Sequence, residues 1–225
     1  MNNDNSLKLK IIAFAFLLAF SCIFVNVIYF YQNSVLEHMD SASFKAAASL
    51  RSDFLTLVAK FVTSLGGTAF LVGISALLLL WTKGRKNYGF AVVLPLGAVS
   101  ILNTAFKQLI ARNRPEIISH LVSESSYSFP SGHSACSVCF YLLAAYVTYK
   151  LSKKQPHRAF RVFLKALCGL LTVLPFLIAA TRIYLGVHYL SDVLAGIFLG
   201  LFFVFAAIGF LPYFQNFINF STPEK

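Results

Sequence analysis

Long apolar runs alternate with short polar segments along the whole chain. A helix needs about 20 apolar residues to cross the hydrocarbon of a bilayer, and six runs of that kind can be counted. They are residues 11–31, 55–81, 88–106, 133–149, 162–180 and 189–211. The pattern predicts an all-α integral membrane protein, a bundle of six transmembrane helices that forms one membrane-embedded domain over residues 1–225.

The first apolar run follows Lys8 and Lys10, as the apolar core of a signal peptide would. The run is 21 residues long, however, and no small-x-small cleavage site stands at its end. Signal peptides are shorter and carry such a site. We therefore expect residues 11–31 to be a retained membrane anchor.

The composition agrees with a membrane protein and excludes other classes. Hydrophobic residues make up 58% of the chain and charged residues 12%, whereas a soluble domain carries about 25% charged residues. The 24 Phe and 10 Tyr exclude intrinsic disorder, because disordered chains are poor in aromatic residues. The net charge of +11 does not indicate a nucleic-acid partner, since the basic residues lie between apolar runs rather than on a water-exposed face.

The basic residues are divided unevenly between the two sides of the membrane. Six spans put both termini on one side, and that side holds twelve of the 19 Lys and Arg residues. The positive-inside rule then places both termini in the cytoplasm. We expect a multi-pass protein of the plasma membrane with its longer loops, residues 32–54 and 107–132, on the extracytoplasmic side.

Within the first outer segment, residues 32–54, two structures fit the pattern. Its apolar and charged residues suit a helix lying on the membrane surface, and an ordinary solvated linker fits equally well. Lys45, Arg51 and Lys60 are interpreted as interfacial anchors, because long basic side chains at a membrane edge usually reach toward the polar region.

Four other outer cations lie at or beside the ends of spans, where the positive-inside rule disfavours them. They are Lys107, Arg112, Arg114 and Arg182. Ionisable residues in such positions are functional candidates, and the spans concerned meet the outer face together. Arg binds phosphate oxygens in a bidentate manner and Lys adds a point charge, so we expect a phosphate pocket. For Arg112, contact with a substrate headgroup and a solvated loop position are equal alternatives.

The fourth span opens with Pro130-Ser131-Gly132. The N-terminus of a helix presents free N–H groups and the positive end of its dipole to an anion, and Gly132 lets the backbone approach a ligand closely. This segment is therefore a second candidate for phosphate binding.

His188 and Asp192 are four residues apart and share a face on a helix, so the carboxylate can accept the imidazole Nδ1–H. Nε2 of His188 is then free to act as a base or nucleophile. No Ser, Cys or Asp is placed as a better nucleophile, so His188 is the candidate that attacks phosphorus to form a phosphohistidine. His133 is the natural general acid for the leaving oxygen.

Three ordered motifs carry a resemblance to a known family. They are Lys107-x6-Arg114-Pro115, Pro130-Ser131-Gly132-His133 and Arg182-x5-His188-x3-Asp192. In order and spacing they closely resemble the signature motifs of the type 2 phosphatidic acid phosphatase superfamily. One departure is Thr181, where the family usually has Ser; the hydroxyl is kept, so only a supporting contact is affected.

The resemblance implies a role for each matching position. Phosphate-oxygen ligands are expected at Lys107, Arg114 and Arg182, with further hydrogen bonds from Ser131 and Gly132. His133 is expected as the acid, His188 as the nucleophile and Asp192 as the residue that orients it.

The activity that the resemblance implies is that of a membrane lipid phosphatase that uses no metal and no cofactor. Asp192 is a lone carboxylate at the site, which agrees, because Mg²⁺ and Ca²⁺ need more oxygen ligands from the protein. The compact chain is similar to bacterial members that act on phosphatidylglycerophosphate, phosphatidic acid or undecaprenyl pyrophosphate, the last reaction recycling the cell-wall lipid carrier. The motifs do not choose among these substrates.

Two other functions are compatible with the cations. An anion transporter or channel would use them as a binding ring, although transporter sites lie near the membrane midplane and these residues cluster at one face. A lipid-to-lipid phosphotransferase would keep the chemistry and change the acceptor.

Three uncharged residues near the motifs have open interpretations. Asn103 is four residues before Lys107 and either orients it or makes an interhelical hydrogen bond. Tyr127 and Phe129 either line the substrate entrance or pack at the interface.

Overall fold

The computed structural model describes residues 34–81 and 88–219, with the side chains of 37–81 and 88–209. All regular structure in these ranges is α-helical, as predicted. The helices are α1 (Ser34–Ser49), α2 (Asp53–Ser64), α3 (Thr68–Trp81), α4 (Tyr88–Ile110), α5 (Gly132–Lys153), α6 (Arg158–Tyr184) and α7 (Leu190–Asn219).

Four of these helices, α4 to α7, are long and apolar enough to cross a membrane, and α2 with α3 makes a fifth crossing if the pair is one bent span. The chain is therefore a multi-pass membrane protein. The first predicted span, residues 11–31, lies outside the described residues. The count of six spans and the cytoplasmic position of the termini accordingly stay predictions.

Within the predicted span over residues 55–81, the helix breaks at Leu65–Gly67 and bends by 46° between α2 and α3. We call this break the elbow. A Cβ on Gly66 would lie 2.6 Å from both Ile178 Cγ2 and Ser137 Oγ, so only glycine allows the elbow to approach α5 and α6 this closely. The adjacent glycines were the sequence signal for the break.

Helix α5 lies at the centre of the bundle, packed against α4, α6 and α7. Of its most apolar stretch, 56% of residues are buried, against 22% in α4 and in α6. Gly196 and Gly200 of α7 face α5, and a Cβ on them would lie 2.5 Å from Ser131 O and 2.6 Å from Ala135 O. Small residues of this kind let transmembrane helices approach closely.

Within the predicted loop of residues 32–54, Ser34–Ser49 form helix α1, which favours the helical alternative over a solvated linker. Helix α1 packs on α6 and α7 and buries Phe44 and Asp40. The edge of the Phe44 ring meets the ring of Tyr189, with 5.7 Å between centroids. Helix α1 thus covers the junction between α6 and α7.

Candidate active site

The three motifs come together at one end of the bundle. Lys107 lies in the last turn of α4, Arg182 in the last turn of α6, and Asp192 in the first turn of α7. Arg114 lies in the α4–α5 loop, and His188 lies between α6 and α7. The structure therefore gathers the catalytic and cationic positions that the sequence predicted.

Lys107, Arg114 and His188 line a cavity of about 610 Å³, whereas Arg182 and Asp192 are buried and do not line it. Its polar end is lined by Lys107, Arg114, Glu124, Gly132, His133 and His188. From there it continues between α3 and α4 as an apolar groove, lined among others by Leu71, Val72, Ala76, Leu79, Val93 and Leu96. One cavity thus joins a cationic end to a groove of hydrocarbon character.

The orientation of His188 follows from the contacts of Asp192. Nδ1 of His188 is 3.5 Å from Asp192 Oδ2, and the same oxygen accepts hydrogen bonds from Ser128 Oγ and, at 3.0 Å, from the Tyr189 N–H. Asp192 is completely buried and His188 is 2% exposed. Nε2 of His188 is 3.4 Å from Arg114 Nη1. The free imidazole nitrogen therefore faces the cationic side of the site.

The turn that carries His188 depends on Gly186, which adopts a left-handed φ of 81°. A Cβ there would be strained and would lie 2.9 Å from Ser119 O. Burial, more than any other influence, lowers the pKa of the His188 imidazole to about 4. His188 is thus neutral at neutral pH, as a nucleophile must be.

Lys107 and Arg114 are held by backbone carbonyl groups. Lys107 Nζ donates to the carbonyls of Tyr127 and Ser128, the latter at 3.3 Å. Arg114 donates from Nε to Ser126 O at 2.8 Å and from Nη1 to Val187 O at 2.7 Å. Carbonyl groups fix both side chains without themselves neutralising the positive charges.

Arg182 is 1% exposed and lies between two elements. Nη1 donates to Thr63 Oγ1 at 2.7 Å, at the end of α2, and Nη2 donates to Glu124 Oε1. The end of α2, next to the elbow, thus supports a cation of the third motif. Gly66 of the elbow also lies against the ring of His133, since a Cβ on Gly66 would be 3.4 Å from His133 Cδ2.

Glu124 is a site residue that sequence reasoning missed. Its carboxylate binds Arg182 and lies 3.7 Å from Arg114 Nη2. Burial acts to raise the pKa of Glu124, but the charges of Arg182, His133 and Arg114 lower it below its ordinary value. The carboxylate therefore stays ionised among the cations. An acidic residue alone in a loop gives no sequence signal of such a contact.

Ser131 caps helix α5. Its Oγ accepts from Ser134 N at 3.4 Å and from Ser134 Oγ at 2.9 Å, and its own N–H donates to Asp192 O at 3.0 Å. Ser131 is buried and holds α5 against α7, whereas Gly132 lines the cavity. Asn103 donates to Pro130 O at 3.3 Å, which favours the interhelical role over the orientation of Lys107.

The surroundings of two arginines differ from those predicted. Arg112 is neither solvated nor directed at a headgroup, because its guanidinium is buried against Asp192, Asp40 and Ser191. Arg51 is no membrane anchor, since its Nη2 donates to the carbonyls of Ser119 and Tyr184 at 2.8 and 3.1 Å. Both errors arose because isolated cations in loops give no sign of their partners.

The remaining predicted positions divide by exposure. Lys45 and Lys60 are exposed, as expected of anchors. Phe129 is completely buried, so it packs rather than lines an entrance. Tyr127 is partly exposed and borders a second, polar pocket of about 490 Å³ beside Arg114.

Comparison with known proteins agrees with the motifs. The model of the PAP2 superfamily matches residues 88–216. Phosphatidylglycerophosphatase B of Bacillus subtilis (strain 168) is 36% identical over 183 residues, which cover 79% of this chain and 85% of the relative.

Two solved structures have a similar fold. A transmembrane PAP2-type phosphatidylglycerolphosphate phosphatase from Bacillus subtilis superposes with a TM-score of 0.76 at 31% identity, covering 89% of this chain and 96% of that one. LpxE of Aquifex aeolicus matches in fold, with a TM-score of 0.55 at 20% identity over 76% of this chain and 93% of that one. On the strength of its motifs, family match and fold, the chain belongs to the PAP2 superfamily and is a phosphoric monoester hydrolase.

Proposed function

We propose that the chain removes the terminal phosphate of a membrane lipid phosphate or pyrophosphate at the extracytoplasmic face of the plasma membrane, without a metal ion. The observation that carries the proposal is the single cavity that joins the α3–α4 groove to the cationic end. A lipid phosphate has the same two parts, an apolar chain and an anionic head.

The groove is long enough to take a substantial part of an apolar chain. Its α3 wall extends from Thr68 to Leu79, which is roughly 16 Å of helix. With the chain in the groove, the phosphate reaches Lys107 and Arg114, and it reaches Arg182 by replacing the carboxylate of Glu124. Binding energy from the chain then positions the reacting phosphorus beside His188.

In the first chemical step, Nε2 of His188 attacks phosphorus and an N–P bond forms. The bond between phosphorus and the lipid oxygen breaks, and His133 gives that oxygen a proton. Glu124 lies close enough to His133 for their charges to interact. Asp192 stabilises the positive charge that develops on His188.

In the second step a water molecule attacks the phosphohistidine. His133, now neutral, takes the proton from the water, and the N–P bond breaks to release inorganic phosphate. His188 and His133 return to their starting states, so the cycle consumes one water and one lipid phosphate.

Phosphatidylglycerophosphate is the first substrate we propose, because two relatives are named for it. Phosphatidic acid and undecaprenyl pyrophosphate present the same terminal phosphoryl group, so both are proposed as further substrates. Hydrolysis of undecaprenyl pyrophosphate would return the lipid carrier of cell-wall synthesis.

The extracytoplasmic placement rests on charge. With the six spans that the sequence predicts, the side that bears the site would hold seven of the 19 Lys and Arg, and the other side twelve. The positive-inside rule then assigns the site to the outer leaflet and the termini to the cytoplasm.

The test is phosphate release by the purified protein in detergent, with the three lipids as parallel substrates. We expect turnover that resists EDTA and is inhibited by orthovanadate, and a phosphoenzyme on rapid quenching with ³²P-labelled lipid. His188→Ala should abolish both turnover and phosphoenzyme while the protein stays folded. Full turnover by this variant, or turnover lost with EDTA and restored by Mg²⁺, would contradict the proposed mechanism.

A further inference from the structure

The guanidinium of Arg112 lies between two buried carboxylates. Nη1 donates to Asp192 Oδ1 at 2.6 Å and to Ser191 Oγ at 2.8 Å, and Nη2 donates to Asp40 Oδ2 at 3.1 Å. The flat face of Arg112 covers the Tyr189 ring, 3.8 Å from its centroid. Arg112 is 9% exposed, Asp40 2% and Asp192 not at all.

We propose that Asp40 and Arg112 are positioning residues, which hold the carboxylate of Asp192 in the orientation that His188 needs and so connect helix α1 to the nucleophile. The proposal rests on the function proposed above for His188. Arg112 lies within the first motif but not at one of its signature positions, and Asp40 lies outside all three motifs.

The two oxygens of Asp192 have separate tasks. Oδ1 accepts from Arg112, whereas Oδ2 faces His188 and accepts from Ser128 and Tyr189. A carboxylate is planar, so a fixed Oδ1 determines where Oδ2 points. Arg112 thus controls the rotation of the group that orients the imidazole.

Asp40 balances the charge of this arrangement. Arg112 alone would neutralise Asp192 and weaken it as an acceptor for His188. With Asp40 on the other side, the three groups carry a net charge of −1, and Asp192 keeps its strength as an acceptor.

Asp40 also fixes the backbone from which Asp192 projects. Its Oδ1 accepts from the Ser191 N–H at 3.0 Å and its Oδ2 accepts from Ser191 Oγ at 2.9 Å. The first N–H groups of a helix have no partner within the helix, and here a carboxylate from α1 supplies one to α7. The first turn of α7, which contains Asp192, is thereby held from a different helix.

Loss of Arg112 would leave Asp40 and Asp192 as two carboxylates in one buried site. Like charges so placed cannot both stay ionised, so one of them takes up a proton. The other charged groups near Asp192 are His188 and, across the cavity, Lys107 and Arg114. None of these can replace Arg112, because each has its own contacts in the site.

The experiment compares Arg112→Gln, Arg112→Lys, Asp40→Asn and the double variant Asp40→Asn with Arg112→Gln. The matched control is Arg51→Gln, which removes another inward-facing arginine of the same outer region that does not touch Asp192. Each protein is assayed for kcat, KM and their pH dependence, and its thermal unfolding is followed in detergent. His188→Ala is included in the series.

We expect Arg112→Gln to lower kcat about 10²-fold, the effect of a small misplacement of a catalytic group, with KM unchanged and the acid limb of the pH profile moved to higher pH. Arg112→Lys should recover part of the lost kcat, because lysine restores the positive charge although it lacks the planar guanidinium. The double variant should have a higher kcat than Arg112→Gln, since it also removes the second of the two buried carboxylates. Arg51→Gln should lower the unfolding temperature and leave the pH profile unchanged.

Equal losses and equal profiles in Arg112→Gln and Arg51→Gln would overturn the proposal, and so would a double variant no more active than the single one. Either result together with an inactive His188→Ala would leave the proposed function intact. An active His188→Ala would refute that function itself.

Discussion

The two sides of the phosphate cavity differ in how their polar groups are satisfied. On the nucleophile side, His188 and Asp192 are buried, and both oxygens of Asp192 have partners within the protein. On the cation side, Arg182 and Arg114 share Glu124, whose side chain is 24% exposed. In the proposed mechanism, the first side is already in its working geometry, whereas the second must exchange a carboxylate for the phosphate.

This difference predicts that the two sides of the cavity contribute to different kinetic parameters. A preorganised nucleophile lowers the barrier of the chemical step without reorganisation during the reaction. Cations that are held by carbonyls and one acidic side chain remain open to an incoming anion. Changes on the nucleophile side should therefore alter kcat, and changes on the cation side should alter KM as well.

The largest effect should come from Asp192→Asn. The amide fits the same space but presents the wrong hydrogen-bonding pattern to Nδ1 of His188, and the comparable change in a serine protease costs about 10⁴-fold in kcat. We expect kcat to fall by about 10³ to 10⁴-fold with KM unchanged, as measured by steady-state phosphate release. A rise in KM equal to the fall in kcat would show that the two sides are not separable.

A smaller effect should come from Arg114→Lys, which keeps the positive charge and removes the bidentate guanidinium. Each hydrogen bond to a charged group contributes about 1.5 to 3 kcal/mol, so we expect kcat/KM to fall by about 10 to 100-fold. Part of the loss should appear as a higher KM. Inhibition by orthovanadate, which measures binding without turnover, should weaken in parallel; unchanged inhibition would contradict the assignment of Arg114 to the phosphate.

The relation between the two sides can be disturbed at Gly196. A methyl group there would meet Ser131 O at 2.5 Å, so α7, which carries Asp192, must move away from the start of α5. Overpacking of this kind costs about 1 to 3 kcal/mol, and we expect a lower unfolding temperature and a lower kcat. Gly169→Ala is the matched control, because a methyl group there meets nothing within 4 Å; equal losses in both variants would exclude the contact with Ser131 as the cause.

The same contrast explains which parts of the site could be predicted from the sequence. His188, Asp192 and Arg114 belong to motifs in which residue type and spacing indicate the chemistry. Asp40 and Glu124 carry no such signal, because each is an acidic residue far along the chain from the cations it binds. Their contacts depend on the path of the loops, which no local pattern encodes.

The fold shows a similar limit. Apolar length predicted α4 to α7, with errors of up to eight residues at their ends, because a span must be about 20 residues long. Apolar length did not predict the elbow, since Gly66 and Gly67 lie within an otherwise continuous apolar run. The elbow arises from packing against Ile178 and Ser137, a tertiary contact that hydropathy does not report.

The smallest effect concerns pH and tests how far the nucleophile side is preorganised. A pKa of about 4 for His188, below the ordinary value of about 6.5, means that the imidazole stays neutral as the pH falls from 7 to 5. Below pH 4 the protonated form predominates and cannot attack phosphorus, so activity is present above this pKa and lost beneath it. We expect the acid limb of kcat/KM that belongs to His188 to lie near pH 4, with little loss at pH 5, in a phosphate-release assay at constant ionic strength.

The cause of the low pKa of His188 is burial. Ser128→Ala should leave that burial unchanged while it removes one hydrogen bond to Asp192, so the acid limb should stay in place in this variant. A limb near pH 6.5 in the unaltered protein would mean that His188 is solvated during turnover, and the contrast between the two sides of the cavity would then be lost.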